Sequence, residues 1–341
     1  MLLENPALVD LPRQHWRIVS RIDHLIRSAH QSGIIGPPAL IEWLMEAKGK
    51  LLAARGQATQ LVNLVTGLLE RLDALSNATD FTPLYVKKRQ LFSIGFSLEE
   101  NKLTNSYYDL LASEARQTSY ISIAKGQISP EHWFRMGRAL TVVDGYKGLV
   151  SWTGTMFEYL MPLLVMKSYA NTLLDESYSF VMKSQIKYGR QKEMPWGFSE
   201  SCFNALDRNQ DYQYKAIGVP WLGLKRGLTE DAVVAPYATF LALLVNPEAA
   251  VRNIHTLQAE GLDGSHGFYE AADYTPERLP FENKRAVIKS YMAHHQGMSL
   301  LAIDNYLHGN VLQRRFHGNA VHSGIAEQLN IEVHTLQDAL R

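Results

Sequence analysis

Apolar residues recur at spacings of three and four in many segments of this chain, and this period limits its fold more than any other feature. Between residues 14 and 30 they include Trp16, Val19, Ile22 and Leu25, which would lie on one face of a helix. Regular strand-like alternation is scarce, and no rhythm of alternating strands and helices is present. The sequence therefore predicts an all-α protein.

Capping residues and apolar stripes together predict the helix boundaries. Two starts are strong, because in Ser129-Pro130-Glu131 and Asn246-Pro247-Glu248 a capping residue precedes a proline and an acid of the first turn. The predicted helices cover residues 14–30, 39–54, 59–75, 104–118, 130–140, 155–170, 173–188, 233–245, 247–260, 290–307 and 325–340. A polar stretch at residues 76–80 predicts a helical N-terminal prefix, residues 1–80, that packs on a main domain, residues 81–341.

Charge and cysteine content exclude several classes of partner. The 34 acidic and 34 basic residues cancel, so no overall field attracts nucleic acid or anionic lipid, and we expect a neutral partner. Cys202 is the only cysteine, so the fold does not depend on an intrachain disulfide. Because the sequence shows neither a signal peptide nor an apolar run of membrane-spanning length, we expect a cytoplasmic protein without a direct membrane span.

Motifs for common cofactors and nucleophiles are missing from the sequence. It contains neither a glycine-rich phosphate loop nor the G-x-S-x-G elbow of serine hydrolases. His294 and His295 are adjacent, and adjacent residues on a helix point about 100° apart, which suits hydrogen bonding better than metal binding. We therefore expect no cofactor and no metal.

Several acidic residues have unusual neighbours. Glu200 lies among an indole, a glycine and two hydroxyls in WGFSES, a composition suited to a sugar, although an ordinary surface glutamate on a turn is the more frequent explanation. Glu114 lies on a predicted helix, where a solvated glutamate is an equal alternative. Glu158 is flanked by bulky apolar residues and, if buried, must be paired or protonated. Glu270, beside aromatic residues, and Asp144, before a glycine, are further candidates.

Six ordered motifs together carry a specific resemblance. They are residues 104–126 (TNSYYDLLASEARQTSYISIAKG), 148–162 (GLVSWTGTMFEYLMP), 196–204 (WGFSESCFN), 212–237 (YQYKAIGVPWLGLKRGLTEDAVVAPY), 267–275 (GFYEAADYT) and 290–301 (SYMAHHQGMSLL). From about residue 84 to residue 316 the chain resembles the glycoamylase-like domain of bacterial cyclic β-1,2-glucan synthases.

The resemblance implies an (α/α)6 barrel, or toroid, with long functional loops, acting on β-1,2-glucan. In such synthases a membrane-embedded glycosyltransferase domain extends a linear glucan, this domain closes it into a ring with retention of configuration, and a phosphorylase-like domain trims chain length. By motif position Glu114 is implied as the general acid/base and Glu200 as the nucleophile. Neither neighbouring domain is recognisable in this sequence, so we expect an excised domain or a stand-alone relative.

The resemblance also implies residues that bind the glucan. Those expected to stack on glucosyl rings are Trp152, Trp196, Tyr214, Trp221, Phe268, Tyr269 and Tyr274, and those expected to bind hydroxyls are Asp144, Lys225, Arg226, Glu270, His294 and His295. For each of them, core packing or surface decoration is an equal alternative. For the whole domain, the alternatives are an endo-β-1,2-glucanase and a non-catalytic glucan-binding module, and the prefix could dock neighbouring domains.

Overall fold

The structure is a computed structural model that describes residues 7–31, 38–280 and 283–318. The chain divides into two compact units, Met1–Asp80 and Phe81–Arg341. In the first unit, helix α1 (Leu11–Gln31) contacts helix α2 (Pro38–Ala78). Lys48 of α2 forms an ion pair with Asp23 of α1 at 2.5 Å.

Helix α2 is continuous over 41 residues, so the prediction of separate helices at 39–54 and 59–75 was wrong. The predicted interruption contains Gly56, which lies inside the helix. A glycine in a helix interior costs about 1 kcal/mol relative to alanine. That cost is too small to end a helix whose flanking segments both favour helical structure.

The second unit carries the remaining secondary structure, with eight α-helices in the part of the chain that the structure describes. They are α3 (Arg116–Ala124), α4 (Glu131–Arg135), α5 (Met156–Leu160), α6 (Leu173–Gln191), α7 (Pro236–Leu241), α8 (Pro247–Ala259), α9 (Ala293–Leu307) and α10 (Val311–His317). Short 3₁₀ turns occupy Thr82–Leu84, Met161–Leu164, Ala242–Leu244 and Pro276–Arg278. Among the described residues, no helix combines the length and apolar character needed to cross a membrane.

Short strands fill many of the connections between these helices. They are β1 (Tyr85–Val86), β2 (Leu91–Ser93), β3 (Phe96–Ser97), β4 (Lys102–Leu103), β5 (Tyr107–Tyr108), β6 (Leu140–Val143), β7 (Tyr146–Leu149), β8 (Glu200–Leu206), β9 (Tyr212–Ala216), β10 (Val233–Val234), β11 (Asp263–Gly264), β12 (Gly267–Phe268), β13 (Ala271–Asp273) and β14 (Ala286–Ile288). All named pairs are antiparallel, in sheets β1-β2-β5 and β10-β13-β14 and hairpins β3-β4, β6-β7, β8-β9 and β11-β12.

About half of the described residues are helical, and no sheet closes into a barrel, which agrees with the predicted dominance of helices. The all-α description omits the hairpins, because most of their strands have only two to four residues and the longest, β8, is buried at consecutive rather than alternate positions. Helices α6 and α8 match the predictions at 173–188 and 247–260, whereas the helices predicted at 130–140, 155–170 and 233–245 are shorter. The helix predicted at 325–340 lies outside the described residues.

The helix predicted at 104–118 was also wrong, and this error bears on the site. Tyr107 and Tyr108 form β5, which pairs with β2. Beyond it, the Leu111 N–H donates to the Gly137 carbonyl at 3.0 Å, a contact with a distant segment that a helix would exclude. The first helical residue is Arg116, so Glu114 lies on a turn.

The core of the second unit positions the connections that carry the candidate site. Its main cluster includes the fully buried Leu160 of α5, Phe198 before β8 and Leu241 of α7. A smaller cluster under the β8-β9 hairpin contains Phe203 and Ile217, packed with residues of β10, β13 and β14. Because both clusters support the start of β8, Glu200 rests on well-packed structure.

Candidate active site

Glu200 is the first residue of β8, and hydrogen bonds fix the backbone around it. Gln185 of α6 donates to the Phe198 carbonyl (2.9 Å) and accepts from the Phe198 N–H (2.8 Å). The Tyr237 hydroxyl donates to the Glu200 carbonyl (3.1 Å) and lies 2.7 Å from Ser199 Oγ. The segment is therefore held from its buried side, which leaves the Glu200 carboxylate to face the site.

Gly197 is required by the path of this segment. Its φ of 132° is a conformation that side chains other than glycine rarely adopt. A Cβ atom there would lie 3.0 Å from the Ala235 carbonyl oxygen and 3.1 Å from Thr239 Oγ1. The glycine thus allows the chain to approach the start of α7 closely before it turns into β8.

The Glu200 carboxyl has a pKa raised to about 7. Burial is the largest cause, and the charges of Glu114 and Glu158 add to it. Two groups act in the opposite direction: the Tyr214 hydroxyl, 3.5 Å from Glu200 Oε2, and the charge of Lys225. The carboxyl can therefore gain or lose a proton near neutral pH, as a catalytic carboxyl must.

Glu114 lies on the turn before α3, where Ser113 Oγ donates to its Oε2 at 3.2 Å. Burial raises the pKa of the Glu114 carboxyl, and the charge of Glu158 raises it further. The charges of Glu114 and Glu200 also raise the pKa of Tyr108, after burial as the main cause. Both carboxylates therefore act on one small region, which contains Tyr108 as a neighbour that the sequence analysis did not single out.

Arg116 holds the turn that carries Glu114. Its side chain is 1% exposed. The guanidinium donates to the carbonyls of Ser113 (2.9 Å), Glu158 (2.9 Å) and Tyr159. The Glu114 turn is thereby tied to α5. This role cannot be predicted from the residue pattern, because the acceptors belong to the backbone and leave no mark in it.

Glu158 is buried and hydrogen-bonded, one of the two states expected for it. It closes a capping box with Thr155 at the start of α5. Its carboxylate also accepts from Ser151 Oγ (2.7 Å) and from the Thr153 N–H (2.9 Å). The residue therefore shapes the loop before α5, and its charge acts on both Glu114 and Glu200.

Glu270 and His295 lie behind Glu200, in the interior. They are only 2% and 1% exposed, so direct contact with a glucan hydroxyl, as predicted, does not fit their burial. His295 Nδ1 lies 3.0 Å from both Glu270 carboxylate oxygens, and its Nε2 lies 3.4 Å from the Tyr214 hydroxyl. The Tyr237 ring stacks on the imidazole with centroids 3.7 Å apart. These residues support the site from within.

Two of the predicted stacking residues present exposed rings. Trp152 is 59% exposed and Tyr214 is 41% exposed. The Trp152 carbonyl accepts from the Lys225 N–H at 2.8 Å, which links its segment to the lysine that acts on Glu200. Arg226 and His294 are exposed, and burial followed by the charge of His295 lowers the pKa of His294.

Other predicted glucan-binding residues have different surroundings. Trp196 is 8% exposed and belongs to the main core, so its predicted stacking role does not fit its placement. Trp221 packs against that core. The Tyr274 hydroxyl donates to Glu260, and Asp144 pairs with Lys187 at 2.7 Å. Phe268 packs edge-on against Phe240, and Tyr269 packs against Tyr291, with centroids 5.4 Å and 5.3 Å apart respectively.

Cavities of appreciable size also lie away from the two carboxylates. One of about 440 Å³ lies behind Trp196 and is bordered by Asn253. Another of about 610 Å³ is bordered by Tyr146 and Lys183. Neither includes Glu114 or Glu200, so we locate the candidate site by its charges and hydrogen bonds rather than by cavity volume.

Comparison with known proteins identifies the family. A family model described as "Putative glucoamylase" matches residues 106–320, well over half of the chain. The chain is also 40% identical over 325 residues to the cyclic beta-(1,2)-glucan synthase NdvB of Rhizobium meliloti (strain 1021). That match covers 92% of this chain but 11% of the synthase, so the chain spans about a tenth of this relative's length.

Solved structures share the fold at low identity. A "putative glucoamylase" from Bacteroides fragilis NCTC 9343 matches with a TM-score of 0.57 and 19% identity over 78% of this chain and 64% of its own. An endo-beta-1,2-glucanase variant from Talaromyces funiculosus, solved with beta-1,2-glucan, matches with a TM-score of 0.59 and 11% identity over 94% of this chain and 62% of its own. On the family match, and in agreement with the ordered motifs, this protein belongs to the glycoamylase family.

Proposed function

We propose that residues 81–341 form the catalytic region of a retaining transglycosylase that closes linear β-1,2-glucan into a ring through a covalent glycosyl-enzyme intermediate. The observation that carries this proposal is the electrostatic coupling around Glu200: the charge of Glu114 raises the pKa of Glu200, and the charges of both residues raise the pKa of Tyr108. The substrate class is supported by the relative that is a cyclic beta-(1,2)-glucan synthase. The more distant glucanase of similar fold also concerns a β-1,2-linked glucan.

The first step would form the intermediate. A Glu200 oxygen attacks the anomeric carbon of a glucosyl unit, the glycosidic C–O bond breaks, and Glu114 gives its proton to the departing oxygen. The reducing-end fragment then leaves. Because the carboxylate attacks opposite the departing oxygen, the configuration at the anomeric carbon is inverted once.

The second step would close the ring. A hydroxyl near the non-reducing end of the same chain gives its proton to Glu114, and its oxygen attacks the anomeric carbon, which releases the Glu200 carboxylate. The second inversion restores the original configuration. One glycosidic bond is broken and one is formed, so no water is consumed and the number of reducing ends stays constant.

One part of the surroundings of Glu200 suits this assignment of roles. The Tyr214 hydroxyl and the charge of Lys225 act to lower its pKa, against the burial and the neighbouring carboxylates that raise it to about 7. A nucleophile must be charged, so in the proposed mechanism the pair of carboxyls holds its one proton on Glu114. Exposed Trp152 is the side chain that we propose as a stacking surface for a glucosyl ring.

Product analysis on linear β-1,2-glucan tests the proposal. We expect rings, each lighter by one water than the linear chain of equal length, without a rise in reducing ends, and we expect Glu200→Gln to abolish them. Linear products with a rise in reducing ends would instead identify an endo-β-1,2-glucanase. Binding of glucan by wild type and Glu114→Gln, with no turnover by wild type, would identify a binding module.

The architecture and the parent protein are also proposed. We propose that the second unit forms part of an (α/α)6 toroid. The predominance of helices and solved structures with TM-scores of 0.55 to 0.59 support this. The match to 11% of a much longer synthase supports a multidomain parent. In that parent, glycosyltransferase and phosphorylase-like domains would supply the linear glucan and trim it.

A further inference from the structure

Three side chains connect Glu200 to a second, buried carboxylate. The Tyr214 hydroxyl lies 3.5 Å from Glu200 Oε2 and 3.4 Å from His295 Nε2. On the other side of the imidazole, His295 Nδ1 lies 3.0 Å from both oxygens of Glu270. Both contacts of Tyr214 are long for hydrogen bonds, and catalytic hydrogen bonds often tighten when substrate binds.

The hydrogen-bonding capacity of these groups permits two arrangements. The Glu270 carboxylate only accepts, so His295 Nδ1 carries a proton. The Tyr214 hydroxyl has one proton to donate. If His295 Nε2 is also protonated, it donates to the Tyr214 oxygen and the hydroxyl proton points to Glu200. If His295 is neutral, its Nε2 accepts from Tyr214 and Glu200 loses its donor.

We infer that Glu270, His295 and Tyr214 form a positioning relay that directs the Tyr214 hydroxyl proton to Glu200 and so keeps this carboxyl ionised for attack. The inference rests on the proposed role of Glu200 as the nucleophile. Glu270 and His295 do not touch the substrate in this scheme. They act through Tyr214, which explains why residues in a glucan-processing site are almost fully buried.

Two contacts of the buried pair fit the arrangement in which both ring nitrogens of His295 donate. The Glu270 carboxylate opposes the imidazolium charge at hydrogen-bonding distance in a setting that excludes solvent. The Tyr237 ring lies nearly parallel to the imidazole, with planes 13° apart, a geometry that also attracts a cation. Since Tyr237 donates to the Glu200 carbonyl as well, one residue aligns the relay with the proposed nucleophile.

Charged and titratable groups face the relay from several elements. Around His295 they are Glu270, Tyr214, Tyr237 and His294, whose ring centroid lies 4.0 Å from that of His295, with Cys202 next to Glu270. Around Glu200 they are Glu114, Glu158, Tyr108, Tyr214 and Lys225. His294 and Glu270 act on the His295 imidazole in opposite directions, and Glu270, at hydrogen-bonding distance, is much the better shielded from solvent.

The relay can be tested by titration of Glu200 without any substrate. The full chain would be labelled with ¹³C-carboxyl glutamate, with the Glu200 resonance assigned through Glu200→Gln, and its pKa measured by NMR. We expect Tyr214→Phe to raise this pKa by about half a unit to one unit, because a donor to the charged form is lost. Tyr212→Phe, on the same strand, and His308→Gln, which breaks the exposed His308–Asp304 pair on α9, are matched controls and should leave the pKa unchanged.

Glu270→Gln gives the decisive comparison. Removal of a nearby negative charge by itself would lower the pKa of Glu200, whereas loss of the relay raises it. We therefore expect a rise, and in the double variant with Tyr214→Phe no rise beyond that of Tyr214→Phe alone. A pKa that is unchanged or lower in Glu270→Gln, or additive effects of the two changes, would overturn the relay. Thermal unfolding of each variant checks that it folds.

Kinetics on linear β-1,2-glucan provide a second measurement. The acidic limb of the kcat/KM profile should move to higher pH in Tyr214→Phe and Glu270→Gln by the same amounts as the titration. A purely structural role would lower activity at all pH values without moving the limb, and that result would overturn the relay. If the wild type does not turn over glucan, the proposed function fails, while the titration still decides whether the relay exists.

Discussion

Removal of the Glu200 carboxylate should stabilise the protein while it abolishes turnover. The pKa of this carboxyl is raised from 4.5 to about 7, chiefly by burial, so the folded state disfavours the charge that the unfolded chain carries freely. The direction of the pH dependence of stability follows from this shift. Above about pH 7 the charged carboxylate destabilises the folded state in full, and the penalty falls as pH decreases through 7 because the folded protein takes up a proton. Glu200→Gln removes the penalty at every pH.

The size of the effect follows from the shift. The full difference of about 2.5 pKa units corresponds to about 3.4 kcal/mol. Glu200 is only partly buried, so solvent screening reduces this, and we expect about 1–3 kcal/mol near pH 8. For a unit of this size the gain corresponds to a rise in Tm of roughly 2–8 °C. Near pH 5 most of the gain should disappear.

Thermal or denaturant unfolding at both pH values would measure this difference. Glu99→Gln is the matched control, because Glu99 is exposed and its replacement should change the unfolding free energy by less than about 0.5 kcal/mol. A Glu200→Gln variant that is no more stable than wild type near pH 8, or whose gain is the same near pH 5, would refute the reasoning. The charge of Glu200 would then be compensated in the folded state, and the proposed role of Glu200 as a catalytic carboxyl with a raised pKa would lose its physical basis.

Further predictions concern the roles of the two carboxyls and the supports around them. With an activated glucosyl donor and azide, Glu114→Ala should give a glycosyl azide of retained configuration and Glu200→Ala one of inverted configuration; the reverse outcome would exchange the assigned roles. Arg116→Met should lower kcat at least tenfold and lower the free energy of unfolding by about 2–4 kcal/mol, because three backbone acceptors lose their donor. Kinetics and denaturant unfolding would measure the two effects, and an unchanged kcat would show that the Glu114 turn needs no such support. Gly197→Ala should cost about 1–3 kcal/mol in unfolding free energy because of its φ of 132°, and a neutral change would contradict the close packing before β8.

The sequence predicts local helices best where capping signals and apolar period agree. Helix α8 begins at Pro247, as the Asn246-Pro247-Glu248 pattern indicates, and Asn246 accepts from the Ala249 N–H at 3.0 Å. The prediction fails at residues 104–118, where helical propensity yields to pairing with residues far along the chain. Local patterns contain no information on such pairing, so the turn that carries Glu114 could not be derived from them.

The sequence selects candidate site residues by type and motif but does not predict how deeply each is buried. The ordered motifs identify Glu114 and Glu200 as candidates. Other aromatic and charged residues in the same motifs lie partly in the core and partly on the surface, and residue type does not indicate which. Trp196 and Trp152 illustrate this, since both are tryptophans in the ordered motifs but are 8% and 59% exposed. Burial depends on how the connections fold over the core, and a sequence pattern with period two or 3.6 does not describe irregular connections.

Glu158 shows how one residue can serve both the fold and the chemistry. Its carboxylate starts α5 through the capping box with Thr155 and fixes the preceding loop through Ser151 and the Thr153 N–H. The same charge raises the pKa values of both Glu114 and Glu200. A second proton is thereby made harder to remove from the pair, which favours one protonated and one charged carboxyl near neutral pH. The proposed acid/base and nucleophile require this state before glycoside cleavage, so a residue that caps a helix of the fold also acts on the ionisation of the candidate site.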